Sequence, residues 1–439
     1  MTPPRTRTFL FLQGLASGFF NRLGKTLAER GHGVVRVNLN AGDRVFWRQA
    51  GALDYRGRPA DWPTFVEQLI ADRHITDLVL FGDCRPMHRE AIEVAEQLCL
   101  SVHVVEEGYL RPDWVTIELG GVNGHSSLPR NPDWYREMAT GLPPVEEVRA
   151  IESSFNRRAR EDVLYNVSAM LLRPLYPHYQ THRPWHPMVE YAGWIWRLLH
   201  RPAARRRSQA MLGRLQAGVP YYLFPLQLDC DSQIRLHSSF KGMAAVIRTV
   251  LTSFATLSPA DALLVVKEHP LDNGLIDWRK LTLDLAATLG ISDRLVYLEQ
   301  GDIAHLVRDA RGVVTVNSTT GTFALAAGVP VVTLGNAIYA LPGLTFQGEL
   351  DEFWSGYTVP DAALFDAFRR VLVSRCLVRG GFFSEEGLGM LVANAVGRLE
   401  AAAPAPVMAG RERSVQVVQM SGPVAKAFGH EGAVASPTR

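Results

Sequence analysis

Short runs of β-branched and aromatic residues, each followed by an amphipathic segment, recur in two long blocks of the chain. Few patterns restrict a fold more. Continuous apolar runs mark strands buried on both faces, and helices must cross over between parallel neighbours. In the first block the runs are Thr8 to Leu12, Val34 to Asn38, Asp77 to Phe81 and Val102 to Val105. Helical periodicity covers Phe19 to Arg30, Thr64 to Ala71 and Arg89 to Leu98, and Gly31 and Gly33 close the first of these helices. A second block starts at Pro220 with strand runs Tyr221 to Leu226, Ala262 to Val266, Arg294 to Leu298, Gly312 to Val316 and Pro330 to Leu334. Its helices span Lys241 to Phe254, Trp278 to Leu289, Ile303 to Asp309 and Thr322 to Ala327, and residues 361–376 and 385–400 are also helical.

The expected fold is therefore α/β, with two Rossmann-like, doubly wound halves facing a cleft and a helical insertion between them. The boundaries read from the sequence are an N-terminal domain over 1–144, a helical region over 145–215, a C-terminal domain over 216–380, a last helix over 381–400 and an Ala/Pro-rich tail over 401–439 with a disordered composition. Arg5 and Arg7 before Phe9-Leu10-Phe11-Leu12 imitate a signal peptide, but Gln13 and Gly14 end the apolar run, so a first buried strand is expected. No run is long enough to span a membrane. The 145–215 region carries Trp185, Trp194 and Trp196 beside Arg197, Arg201, Arg205, Arg206 and Arg207. That mixture suits an anionic membrane surface, and equally a helical insertion with core tryptophans and a solvated basic face.

Net charge is +2, so nothing draws the whole chain to nucleic acid. Cys84, Cys99, Cys230 and Cys376 show no metal-ligand spacing, which suits a reducing cytosol, and neither a metal nor a cofactor is expected. The first strand is not followed by GxGxxG, so a dinucleotide fingerprint is missing.

Ligands of open α/β sheets bind past the carboxyl ends of the strands, and the polar residues there carry the chemistry. Val265-Val266 runs into Lys267-Glu268-His269-Pro270, and Asn317-Ser318-Thr319-Thr320-Gly321 follows a later strand of the same half. Backbone N–H groups and hydroxyls at a helix start favour phosphate, although Ser and Thr are also ordinary helix caps. Glu106-Glu107-Gly108 ends the fourth strand of the first half. Burial or a neighbouring negative charge would raise one carboxyl and make it a proton donor; the other reading is a solvated turn paired with Arg111. Asp229 and Asp231 form an Asp-x-Asp pattern. It could hold a cation, but its position at the start of the second half favours a free aspartate acting as nucleophile at an anomeric carbon, or a helix cap. Gln13, Gly14, Gln227 and Gln233 complete the cleft candidates.

Glu106-Glu107-Gly108, His269-Pro270 and Ser318-Thr319 resemble motifs shared by bacterial sialyltransferases and Kdo transferases that use CMP-sugars. The resemblance extends to the capsule polysaccharide biosynthesis proteins of the KpsS/LipB type, through Phe11 to Gly14, Val37 to Arg44 with Trp47, Glu106 to Asp113, Pro225 to Gln233, Lys267 to Pro270 and Asn317 to Gly321. It implies a GT-B-like, cytoplasmic, retaining β-Kdo transferase at the inner face of the inner membrane. The donor would be CMP-Kdo and the acceptor a phosphatidylglycerol-type lipid, alongside other capsule-assembly proteins. By that likeness Asp231 is the candidate nucleophile, and Glu107 or Glu106 the acid/base. His269 would contact the CMP phosphate, with Lys267, Pro270, Asn317, Ser318, Thr319, Thr320 and Gly321 completing the donor site. Alternatives are a transferase for another CMP- or UDP-sugar, or a non-catalytic partner in capsule assembly or export.

Overall fold

The computed structural model describes residues 6–146, 149–181, 183–215, 218–229 and 232–402. Asp231 and the 403–439 tail lie outside the described residues. Twelve strands form two sheets, and their ranges are β1 Thr8–Phe11, β2 Gly33–Asn38, β3 Leu53–Asp54, β4 Asp77–Phe81, β5 Ser101–Glu107, β6 Trp114–Leu119, β7 Tyr221–Pro225, β8 Leu263–Lys267, β9 Leu295–Leu298, β10 Gly312–Thr315, β11 Val331–Thr333 and β12 Leu377–Arg379. The first sheet runs β12-β6-β5-β4-β1-β2-β3 and the second β11-β10-β7-β8-β9. All pairs in the second sheet are parallel, as are those from β5 to β3 in the first. Each half is thus a doubly wound sheet whose order reverses once, between β1 and β4 and between β7 and β10. Those reversals open crevices at the strands' carboxyl ends.

The strands form where the apolar runs predict them because both faces are covered. Phe9 and Phe11 of β1 pack with the helix Phe19–Glu29 and the last helix, Glu385–Ala401, while Leu10 and Leu12 enter the opposite core with Leu78 and Leu80. Side chains alternate across a strand, so one run feeds two cores. Arg7, at the end of the signal-like stretch, pairs with the fully buried Asp77 and donates to the carbonyls of Leu399 (2.6 Å) and Ala402 (3.0 Å). It satisfies terminal helix carbonyls that would otherwise lack partners.

Two features depart from the expectation, and a third region follows it. The segment Trp114–Leu119 forms β6, antiparallel to β5, and β12 lies antiparallel to β6. Hence the 216–380 stretch returns a strand to the first sheet, and the following helix packs against Phe19–Glu29. A short helix, Ala41–Phe46, is capped by the Asn40 side chain, which accepts from the Asp43 N–H at 3.0 Å. The basic and aromatic region is two helices, Phe155–Leu171 and Pro187–Leu215, and Pro174, Pro177 and Pro184 fall between them. No described helix is long and apolar enough to cross a membrane.

Candidate functional site

Lys267 is the last residue of β8, paired in register with Pro225, and is buried. Its ammonium donates to the Glu268 carbonyl at 2.7 Å. Burial drives its pKa down to about 8; Glu268 opposes that shift and Arg197 adds to it. The Glu268 carboxylate accepts from the Tyr297 hydroxyl at 2.9 Å and pairs with Arg197 at 3.0 Å. Arg197, on the helix Pro187–Leu215, also donates to the His269 carbonyl (3.1 Å) and the Asp272 carbonyl. Gly193 on the same helix lets the two segments touch, since a Cβ there would lie 2.3 Å from the Asn273 carbonyl oxygen. From its neighbours in the chain Arg197 belongs to a basic surface. The structure gives it the scaffolding of the His269 loop.

His269 accepts the Leu271 N–H at Nδ1, 3.1 Å away. The ring proton of the neutral form therefore sits on Nε2, which is left as a donor. Burial pushes the imidazole down to about 4, helped by Arg111, Lys267 and Arg197 and opposed by Glu107. His269 is a neutral N–H donor at physiological pH rather than a cation.

The β10 loop sits beside it, one strand beyond β7. Gln227 is the clamp: its amide donates to Asn317 Oδ1 at 2.8 Å, and its Oε1 accepts the Asn317 N–H at 3.1 Å. Thr315 Oγ1 accepts the Ser318 N–H and Ser318 Oγ accepts the Thr320 N–H, both at 3.1 Å. Gly321 is required by a close approach, because a Cβ would lie 2.3 Å from the Tyr339 hydroxyl, which itself donates to the Ser318 carbonyl. The helix Thr320–Ala326 that follows has only seven residues.

Across the cleft, Glu106 and Glu107 end β5 and point to opposite faces. Glu106 accepts from the Asn123 amide. Glu107 pairs with Arg111 at 2.8 Å and with Arg158 of the helix Phe155–Leu171 at 2.7 Å. Burial raises its pKa, but the two guanidiniums outweigh this and hold the carboxyl below the usual range. Of the two readings of this turn, the pairing with Arg111 is the one found, and Glu107 is not the raised carboxyl of the other. Arg158 was missed because nothing in the sequence says which arginine of a basic helix turns inward. Arg111 and Glu107 both act on the titration of His269, so the two halves meet here. Thr322 adds a direct link, its hydroxyl donating to the Tyr109 carbonyl at 3.3 Å.

Asp229 has both oxygens engaged, accepting the Met243 N–H at 2.7 Å and facing Arg235 at 3.4 Å. It caps the helix Met243–Leu257. Gln233 lies in the short helix Ser232–Leu236. Gln13 donates to Tyr165 (2.7 Å) and Tyr179 (3.2 Å), and Gly14 packs on Phe20. Gln13 thus seats the helical insertion on the segment after β1, while Gly14 meets the helix Phe19–Glu29, and the two tyrosines carry no pattern that separates them from core aromatics.

The sequence matches the family described as capsule polysaccharide biosynthesis protein over residues 76–383. It is 35% identical over 381 residues to the capsule polysaccharide export protein KpsS of Escherichia coli, covering 86% of this chain and 97% of that one. It is 34% identical over 384 residues to the capsule polysaccharide modification protein LipB of Neisseria meningitidis serogroup A, covering 86% and 91%. The solved structure of Thermosulfurimonas dismutans KpsC, beta Kdo 2,7 transferase, is 15% identical, with a TM-score of 0.42 over 90% of this chain and 98% of that one. A family match across most of the two-sheet unit, together with two relatives covered nearly end to end, makes this chain a member of the capsule polysaccharide biosynthesis protein family.

Proposed function

We propose that the protein is a retaining glycosyltransferase that moves Kdo from CMP-Kdo to a phosphatidylglycerol-type lipid at the cytoplasmic face of the inner membrane. One observation carries the reading. A buried ammonium, a neutral imidazole donor and a hydroxyl-lined loop lie past β8 and β10, the two strands that flank β7, and the Glu107–Arg111 pair faces them from the other sheet. Lys267, His269 and Ser318 to Thr320 hold the leaving CMP phosphate and stabilise the charge that grows as its bond to the sugar breaks. Asp231 attacks the anomeric carbon, and CMP departs with the bonding electrons. The acceptor hydroxyl then displaces Asp231 from the sugar. Glu107, kept ionised by its arginines, takes the hydroxyl proton as a base.

The lipid is reached by an exposed apolar face. Ile195, Trp196, Leu198 and Leu199 are 55–71% exposed on the helix Pro187–Leu215, with exposed Arg201, Arg205 and Arg206 further along it. Apolar side chains entering the headgroup layer beside arginines suit an anionic bilayer. Among the described residues Arg205 and Arg206 form no ion pair, whereas Arg207 pairs with Glu299 at 2.6 Å.

The test is purified protein with CMP-Kdo and phosphatidylglycerol vesicles. CMP release coupled to a Kdo-bearing lipid is expected. No product, with other CMP- and UDP-sugars also inert, leaves a non-catalytic role.

A further inference from the structure

The crevice of the first sheet gathers a second group of residues. Asp83 and Cys84 follow β4, His125 sits on the turn Asn123–His125 after β6, and His237 comes from the second half, just after the helix Ser232–Leu236. One ligand atom from each lies within 4.8 Å of the others, and no second such group of three or more occurs among the described residues. Asp83 Oδ2 is 3.0 Å from His125 Nδ1, Cys84 Sγ is 3.1 Å from Asp83 Oδ1, and His237 Nε2 is 3.4 Å from Cys84 Sγ. The two imidazole centroids are 4.6 Å apart.

We propose that Asp83, Cys84, His125 and His237 bind a tetrahedral Zn2+ that joins the two halves of the protein. A thiolate, two imidazoles and a carboxylate are ligands that zinc takes, and four of them close its shell. Zinc–ligand bonds of about 2.0–2.3 Å require ligand atoms to stand roughly 3.3–3.6 Å apart. The three contacts of 3.0, 3.1 and 3.4 Å stand close to that spacing, and the remaining ligand atoms, within 4.8 Å, close in as the ion binds. Charge balances too: a dication with one thiolate and one carboxylate is neutral, so the partly buried site carries no net charge. Binding expels the Cys84 thiol proton to solvent.

The surroundings hold the ligands in place. The Val122 N–H donates to Asp83 Oδ2 at 3.1 Å. The Asn336 N–H donates to the His237 carbonyl at 2.7 Å. Glu118 accepts from the Ser126 hydroxyl and from the Ser127 N–H at 3.1 Å, fixing the chain beyond His125. Gly124 permits the meeting of the rings, because a Cβ there would lie 2.3 Å from His237 Nδ1. Outer partners of this kind orient metal ligands. The site is illegible along the chain because its ligands come from three separate segments.

The full chain, stripped with a chelator and dialysed against Co2+, tests this without any measurement of transfer. The expected result is about one Co2+ per chain, with the intense visible absorption of tetrahedral cobalt and a thiolate-to-cobalt charge-transfer band, both abolished by added Zn2+. Cys84→Ser should remove the charge-transfer band, and His237→Gln should lower retained metal at least tenfold. An octahedral cobalt spectrum, or a charge-transfer band unchanged in Cys84→Ser, overturns the site. If the variants do not fold, alkylation of Cys84 in the wild-type chain decides: Zn2+ should slow it tenfold or more, and an unchanged rate overturns the site.

Discussion

The five parallel strands of each sheet follow one order, yet the two crevices carry opposite chemistry. Past β8 and β10 the second sheet offers an ammonium, an imidazole N–H and hydroxyls. Past β4 and β5 the first sheet offers Asp83, Glu106 and Glu107, each already partnered by a histidine, an amide or arginines. Topology fixes where a ligand can enter; the residues just past each strand fix which charge it meets. A leaving phosphate suits the second crevice, and a base or a cation suits the first.

Substitutions on the two sides should therefore fail differently, and this is the largest effect expected. Lys267→Met and His269→Ala should each lower turnover about 10²–10³-fold, the usual loss for one preorganised donor at a developing charge, and both should weaken CMP binding by calorimetry. Glu107→Gln should lower turnover on a similar scale but leave CMP affinity within about twofold. If Glu107→Gln weakens CMP as much as Lys267→Met does, the division of labour between the sheets is wrong.

Arg197 sharpens the same contrast from outside the site. Arg197→Ala takes the cation from the largely buried Glu268 carboxylate, which keeps the Tyr297 hydroxyl, and frees two carbonyls of the His269 loop, at a cost of about 2–4 kcal/mol. A lowered thermal midpoint should accompany weaker CMP binding, and Arg197→Lys should restore only part of either, because a point charge cannot reproduce the guanidinium's three contacts. An unchanged CMP affinity would mean the loop does not need this brace.

The pH dependence separates the cation from the neutral donor. The pKa of Lys267 in the folded chain, about 8, lies below its ordinary 10.5. Between those values the unfolded chain binds more protons, so stability rises with pH across that window. Function runs the other way. CMP binding to the free protein should weaken as pH rises through 8, and the weakening should vanish in Lys267→Met. His269, neutral above about 4, should contribute no change in binding between about pH 5.5 and 7. The CMP phosphate itself titrates at about 6, so the deciding observation is a binding step near the ordinary histidine pKa of about 6.5 that His269→Ala abolishes, which would mean that the ring is protonated in the free protein.

Much of this was legible in the chain. Strand positions followed from apolar runs because parallel strands are buried on both faces, and Lys267, His269 and Ser318 stood out because they end such runs. What escaped has a common cause. The partners of these residues come from far away in sequence: Arg158 for Glu107, Arg197 for Glu268, and His237 for Cys84. The strand β12 escaped for a related reason, since three residues give no periodicity and its pairing is set by β6. The depressed pKa of Glu107 could not be read either, because the same Glu-Glu-Gly stretch titrates up or down according to whether arginines arrive.

The smallest effect concerns the outer face of the helix Pro187–Leu215, where the same comparison recurs on one element. Arg197 and Arg207 turn inward to carboxylates, while Arg205 and Arg206 face outward. Each outward arginine should contribute about 1 kcal/mol at an anionic surface, fading with salt over the Debye length. Leu199 lies seven residues before Arg206, two turns along the same side of the helix, and is 71% exposed. Co-sedimentation with phosphatidylglycerol vesicles should thus weaken by up to about 30-fold at low salt in Arg205→Ala/Arg206→Ala, with a reduced salt slope. Leu199→Ala should weaken binding with the slope unchanged, because it removes only apolar burial. Equal salt slopes in all three proteins would leave the arginines as solvated surface and the apolar side chains as the whole of the contact.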